Sequence, residues 1–284
     1  PAAQLGNFRE LIEQVQLNTL ELTHTTVGGA ASFLPELQVT DIPYMMRGDD
    51  VAEAIAQGPF MDRVRDAVLE ASGNVRLVAV GNTGRWRSFF TADKPIRTAA
   101  DLDGVKMRTI NSPLQIEFVR QLGGNPTPVA WGELYTSLQT GVVEGTKNAA
   151  TDIIPTNMHE VLKHVVLDQH AYLFAFWWMS DQWLQSLPAD LQDLVIDCVA
   201  QASQIQSDWN KEYEARSLQE FRDAGGTVYV PTAEEKETFM VGREAMKEWF
   251  VAEYGDEWLT AFEEAVAEAE ASIAAERDRI IGRN

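Results

Sequence analysis

Residues 188–224 read PADLQDLVIDCVAQASQIQSDWNKEYEARSLQEFRDA, and no glycine or second proline interrupts them before Gly225-Gly226. Glycine breaks helices through backbone freedom and proline through its missing N–H, so their absence predicts one unbroken helix. At 1.5 Å per residue that helix would run on the order of 50 Å, longer than an ordinary domain is wide. A helix of this length bridges two units, and the rest of the chain has to supply them.

On its N-terminal side strands and helices alternate. Phe8, Leu11, Ile12 and Val15 recur at helical spacing within residues 7–20. LELTHTTV, residues 20–27, alternates like a strand and leads into a Gly28-Gly29 loop. Residues 49–71 read as one helix. VRLVAV, residues 75–80, reads as a β-branched strand ending at Gly81. Thr98 and Asp101 have capping-box spacing, and GVKMRTI, residues 104–110, is the next strand. A helix over 114–122 stops at Gly123-Gly124, residues 125–130 are extended, and a helix over 132–140 stops at Gly141. The chain then passes through residues 142–145 to Asn148, and an aromatic strand covers 172–179. Beyond the long helix come a strand at 227–230, a helix capped by Thr232 and Glu235, and an acidic helix over 256–279. Alternation of this kind predicts an α/β protein with a parallel or mixed sheet.

The 284 residues are 45% hydrophobic and 23% charged, enough to bury a sizeable core. The longest apolar stretch, Ala171 to Met179, is too short to span a bilayer. No charged n-region or apolar h-region opens the sequence. The single cysteine, Cys198, leaves no internal disulfide and is expected to be a buried structural thiol. A net charge of −20 argues against nucleic acid and anionic membranes as partners. Against that background, eight basic residues between Arg76 and Arg120 face only four acidic ones. A solvated face has no need of this bias, whereas a buried anion site does.

Catalytic signals are sparse. His24, His159, His164 and His170 show no H-E-x-x-H spacing, and no G-x-S-x-G, P-loop or dinucleotide fingerprint occurs. No nucleophile has a base placed to activate it. Arg108 ends the strand VKMRT, where a planar guanidinium would meet a carboxylate bidentately. From spacing alone it serves either a bound anion or an internal ion pair. Arg85 and Arg87, flanking Trp86, are a second arginine site or surface residues. Trp131 stacks on a ligand or packs in the core, and Asn148 binds a ligand or caps a helix.

Six blocks in order carry a resemblance: PAAQLG, ELIEQVQLNTLEL, FLPELQVTDIPYMMRG, KPIRTAADLDGVKMRT, LGGNPTPVAWGELYTSLQTGVVEGTKN and SLPADLQDLV. They resemble the extracytoplasmic solute receptors of TRAP transporters, the DctP-like proteins, over nearly the whole chain. The resemblance implies a type II periplasmic-binding-protein fold, α/β and two-lobed, crossed by a long helix. It places residues 1–84 and 174–213 in lobe I and residues 85–173 and 214–284 in lobe II, without the strand–helix–strand unit that usually precedes the P-x-x-Q-L-G motif. The ligand-gripping arginine falls on Arg108, the asparagine on Asn148, and the pocket-wall aromatic on Trp131. A polar pocket residue falls on Asn111 and an early-strand pocket residue on Thr26. The second arginine falls on Arg87 or Arg85, with Arg87 preferred because it lies beyond Trp86. The usual glutamine-glutamate before the asparagine is replaced by Thr146-Lys147.

The function so implied is capture of a small carboxylate-bearing solute in the periplasm, after removal of a signal peptide, and delivery to TRAP membrane permease subunits. The receptor is expected to be a monomer with no cofactor, no metal and no nucleic-acid partner. The alternative is a hydrolase or lyase acting on an organic acid in the same cleft, with Asp152 or His170 as its acid–base group.

Overall fold

The computed structural model describes residues 4–31 and 33–282, so the first three residues of the PAAQLG block lie outside the described residues. The first half contains α1 (Phe8–Gln16), β1 (Leu22–Thr25), α2 (Val27–Ala30), α3 (Asp49–Gln57), α4 (Pro59–Ser72), β2 (Val75–Thr91), β3 (Lys106–Thr109), α5 (Pro113–Gln121) and β4 (Asn125–Pro128). The second contains α6 (Leu134–Gln139), β5 (Gly145–Asn148), α7 (Ala150–Ile153), β6 (His164–Ser180), α8 (Asp181–Ser186), α9 (Ala189–Asp223), β7 (Thr227–Tyr229), α10 (Ala233–Tyr254) and α11 (Glu257–Ile280).

The strands form one mixed sheet in the order β1-β6-β2-β5-β3-β4, with β7 also on β6. Its axis is the antiparallel pair β2–β6, each strand 17 residues long, in register from Val75↔Ser180 to Thr91↔His164. β1 lies against the C-terminal half of β6. β5 lies against the C-terminal end of β2, and β3 and β4 extend the sheet in parallel from β5. One long pair of strands therefore carries two flanking groups.

β2 does not end at Gly81. That glycine answers a close approach rather than a turn: a Cβ there would stand 2.5 Å from Ser203 Oγ and 2.7 Å from Ser207 Oγ of α9. The irregularity comes next. Asn82 pairs with Phe174 but Trp86 pairs with Tyr172, so β2 carries extra residues here, with Arg85 at φ 69. A converse bulge lies on β6, where Arg87↔Ala171 is followed by Phe89↔Val166 and Gln169 has φ 54. Bulges re-aim side chains while the ladder continues, and both of these flank Arg87.

α9 matches its sequence reading. It spans 35 residues, about 52 Å at 1.5 Å each. Its buried stripe includes Val199, Ser203, Ser207, Asn210, Tyr213, Ser217 and Phe221, and the serines let it lie close to the sheet. Asn210 Nδ2 donates to the Asn82 carbonyl at 3.0 Å. Cys198 is exposed, contrary to expectation, because it stands one residue off that stripe, beside Val199.

Three further differences have local causes. Residues 49–71 form two helices, since Gly58 meets the Ala54 carbonyl and Pro59 starts α4. Gly28-Gly29 lies in the short helix α2, with Gly28 against Ile110. The aromatic strand begins at His164 instead of 172, the bulge having disguised its first part. The capping boxes at Thr98/Asp101 and Thr232/Glu235 form as read. The larger core gathers Phe89, Phe118, Phe174, Trp178 and Phe239 with α3, α4 and α11, and a second, around Phe90, Leu138, Ile153 and Phe221, backs β5.

Candidate functional site

β3 delivers Arg108 from a strand buried at Met107, Arg108 and Thr109. The residue is 3% exposed. Its Nε donates to the Val129 carbonyl at 2.9 Å, which fixes the plane of the guanidinium. Its Cζ lies 5.7 Å from the Trp131 ring centroid, and its Nη2 has no partner. Burial, and then the neighbouring Arg87, lowers its pKa to about 9. A cation held under such strain gains from any anion that reaches it.

Arg87 sits on β2 between the two bulges. It is 4% exposed, and its Nε has no partner. Arg85 is different: it forms ion pairs with Asp49 and Glu214, and Trp86 Nε1 also donates to Asp49, at 2.7 Å. Of the two arginines that the sequence left open, Arg85 is committed to a structural triad and Arg87 retains a free donor.

β5 adds Asn148, opposite Ser88, with its Oδ1 accepting from the Ala149 N–H at 3.0 Å. Thr26 is buried at the N-terminus of α2, where its Oγ1 caps nothing and has no partner. The packing of Gly28 on Ile110 brings that turn to the chain just beyond Arg108. Trp131 is half-buried, and Asn111 is exposed past the end of β3.

The sequence reading marked Lys147 only as part of the Thr146-Lys147 replacement and gave it no role in the site. It is 2% exposed, and its Nζ donates to the carbonyl and to Oε1 of Gln115, both at 3.3 Å. Gln115 Nε2 in turn donates to Asp41 Oδ2 at 2.5 Å. Burial, then Arg87, pushes the Lys147 amine well below the ordinary lysine range. Beside it, Asp168 accepts from Tyr44 Oη at 2.7 Å, His170 Nδ1 at 2.8 Å and the Phe89 N–H at 3.3 Å. The only signal of Lys147 was the replacement of the usual glutamine-glutamate by Thr146-Lys147; Asp168 and Asp41 carried none.

Of the two rival acid–base groups, His170 has a structural duty. His170 stacks on Phe89 at 4.6 Å and braces Asp168, and burial lowers its pKa. Burial raises the Asp152 carboxyl to about 7, with Arg87 opposing the shift. A cavity of about 460 Å³ between β2, α3 and α9, bordered by Glu53, Gln57, Tyr172 and Ser203, touches none of the six residues singled out from sequence. Among the described residues no helix is long and apolar enough to cross a membrane.

Residues 1–253 match the family described as bacterial extracellular solute-binding protein, family 7. The chain belongs to that family. Its members are solute-binding proteins of transport, not enzymes. A solute-binding protein of Verminephrobacter eiseniae is 32% identical over 226 residues, 80% of this chain and 67% of the relative. The C4-dicarboxylate-binding periplasmic protein DctP of Rhodobacter capsulatus is 28% identical over 273 residues, 94% of this chain and 80% of the relative. Among solved structures, a TRAP periplasmic solute-binding protein of Desulfovibrio salexigens with bound orotic acid superposes with a TM-score of 0.87. It is 27% identical, covering 95% of this chain and 87% of that one. The family-7 fold is thus the two-lobed periplasmic-binding fold, and in this member β2, β6 and α9 are its long elements.

Proposed function

We propose that this protein is the periplasmic receptor of a TRAP transporter, capturing a small organic acid by its carboxylate and delivering it to the membrane permease. The observation that carries the reading is the pair Arg108 and Arg87: two buried guanidinium groups, each with an unpartnered nitrogen and, among the described residues, neither in an ion pair with a carboxylate. Buried cations without partners are costly, and a ligand carboxylate relieves both at once. Arg108 takes the carboxylate as a fork whose plane Val129 sets, and Arg87 supplies the second charge. Trp131 offers a ring face to the body of the ligand, Asn148 and Thr26 offer polar atoms, and Asn111 stands at the mouth.

Lobe I comprises residues 1–84 and 174–213, lobe II comprises residues 85–173 and 214–284, and the hinge is the β2 irregularity between Asn82 and Trp86. Positive φ at Arg85 marks the backbone that absorbs the motion. Closure is stabilised only by a ligand that touches both lobes. The receptor acts as a monomer, its signal peptide removed.

The relatives' names point to both a dicarboxylate and orotic acid, so resemblance alone does not choose the solute. A thermal-shift screen of organic acids tests the reading. A true solute at about 100 times its Kd adds about 2.7 kcal/mol, raises the melting temperature by a few degrees and is recovered unaltered. No shift from any carboxylate, or consumption of the bound acid, overturns it.

A further inference from the structure

One carboxylate near the two free guanidinium groups has no duty in the site described so far. Asp152 lies in the first turn of α7, four residues past Asn148. α7 starts against the β2 bulge. A Cβ on Gly84 would stand 2.7 Å from Thr151 Oγ1, 2.8 Å from the Ala149 Cβ and 3.2 Å from Asp152 Oδ2. Thr151 Oγ1 also donates to the Gly84 carbonyl at 3.3 Å. These contacts hold the Asp152 carboxylate beside the stretch of β2 that carries Arg87, whose charge reaches it. The Asp152 N–H donates to the Ala149 carbonyl, and its own carbonyl accepts from Thr156 Oγ1 at 2.6 Å. The side chain is half-buried, and among the described residues its carboxylate has neither a hydrogen bond nor an ion pair. The neighbouring acids differ in this. Asp168 has three donors, Asp41 has the Gln115 amide, and Asp49 and Glu214 have Arg85.

We propose that Asp152 is a specificity-determining residue: its carboxylate accepts a hydrogen bond from a hydroxyl that the solute carries near its own carboxylate, so the site prefers hydroxy acids to plain carboxylic acids. The proposal rests on the carboxylate reading of Arg108 and adds the group beside it. The other atoms assigned to the solute are rich in donors. Arg108 Nη2 and Arg87 Nε are unpartnered, and Asn148 uses its Oδ1 on the Ala149 N–H, which leaves its amide hydrogens. A plain carboxylate matches those donors but leaves Asp152 facing a second anion with no donor of its own, a costly arrangement away from water. A hydroxyl donates to Asp152 while its oxygen still accepts from a neighbouring N–H. An ammonium would donate as well, but it would stand beside the Arg87 guanidinium, and like charges repel. The carboxylate that favours a hydroxy acid is therefore also what disfavours the acid without one.

Calorimetry tests it at about pH 8, above the value near 7 to which burial raises Asp152. The probes are matched acids of one chain length: D-erythronate with hydroxyls, butyrate with none, and 2-aminobutyrate with an ammonium. The unaltered chain should bind D-erythronate at least about tenfold more tightly than either of the others. Asp152→Ala should weaken D-erythronate by about tenfold or more and leave butyrate no weaker, so that the gap closes. In the ligand-free protein Asp152→Asn should not lower the urea midpoint, because no donor loses a partner. A merely structural aspartate would do the reverse, lowering the midpoint and leaving the preference alone. D-Erythronate no tighter than butyrate, tighter binding of 2-aminobutyrate, or equal weakening of every acid by Asp152→Ala overturns the proposal. Should Asp152→Ala not fold, Asp152→Asn decides through the same gap, which its uncharged amide should narrow and an uninvolved residue would leave unchanged. Arg108→Ala separates the two levels. Unchanged affinity for every acid there removes the carboxylate grip itself, whereas lost affinity alongside an Asp152→Ala that keeps the gap removes only the hydroxyl preference.

Discussion

The binding chemistry proposed for this solute-binding protein rests on a few buried side chains, Arg108 and Arg87 first among them, each with a nitrogen that has no partner among the described residues. Arg108 stands out in the sequence because a strand ending in arginine, inside a locally basic stretch of an acidic chain, suits an anion site or an internal ion pair. What could not be read was which competing group each cation would find. Arg85 and Arg87 look alike in GRWR, and only the β2 bulge sends one to Asp49 and Glu214 and leaves the other inside. Lys147 was visible as a departure from the family pattern, but its burial depends on α5 covering it, a long-range fact. Two predictions belong at this scale. Tyr44→Phe removes a 2.7 Å hydrogen bond to buried Asp168 and should lower unfolding stability by about 1–3 kcal/mol in urea titrations. Asp152 has a raised pKa of about 7, so the stability it contributes is present below the unfolded value near 4 and is lost as pH climbs to about 7. Asp152→Asn escapes that loss. It should therefore gain on the unaltered chain between pH 5 and pH 8, by on the order of 1 kcal/mol after allowance for partial exposure.

Among the elements, punctuation decided what could be read. α9 was predicted within a residue at each end because proline, two glycines and an uninterrupted stretch define it. The capping boxes were equally plain. Strand ends were not: Gly81 looks like a terminus in one dimension, yet it is the point where α9 crosses β2. Gly81→Ala should lower stability by about 1–3 kcal/mol, since its Cβ meets Ser203 and Ser207 at 2.5 and 2.7 Å. Ser203→Ala in the same background should recover part of the loss in denaturant titrations. No recovery would locate the strain elsewhere.

On the scale of the whole molecule, the long antiparallel pair and the long helix are what allow one chain to carry two groups of elements. The two-unit plan followed from α9 alone; the sheet order did not, because pairing between residues a hundred apart leaves no local trace. The surface charge also acts at this scale. At a net charge of −20 the long-range field opposes the approach of the anionic solute proposed above. Salt screens the distant repulsion more than the buried attraction. Stopped-flow association of an anionic solute should therefore speed up from low to physiological ionic strength, the reverse of electrostatic steering.

The most direct measurement is calorimetry of the best organic acid from the screen on the unaltered protein and on Arg108→Ala. A buried carboxylate deprived of its partner loses about 3–5 kcal/mol, so affinity should fall by at least a hundredfold. A dissociation constant unchanged by the substitution would contradict the account.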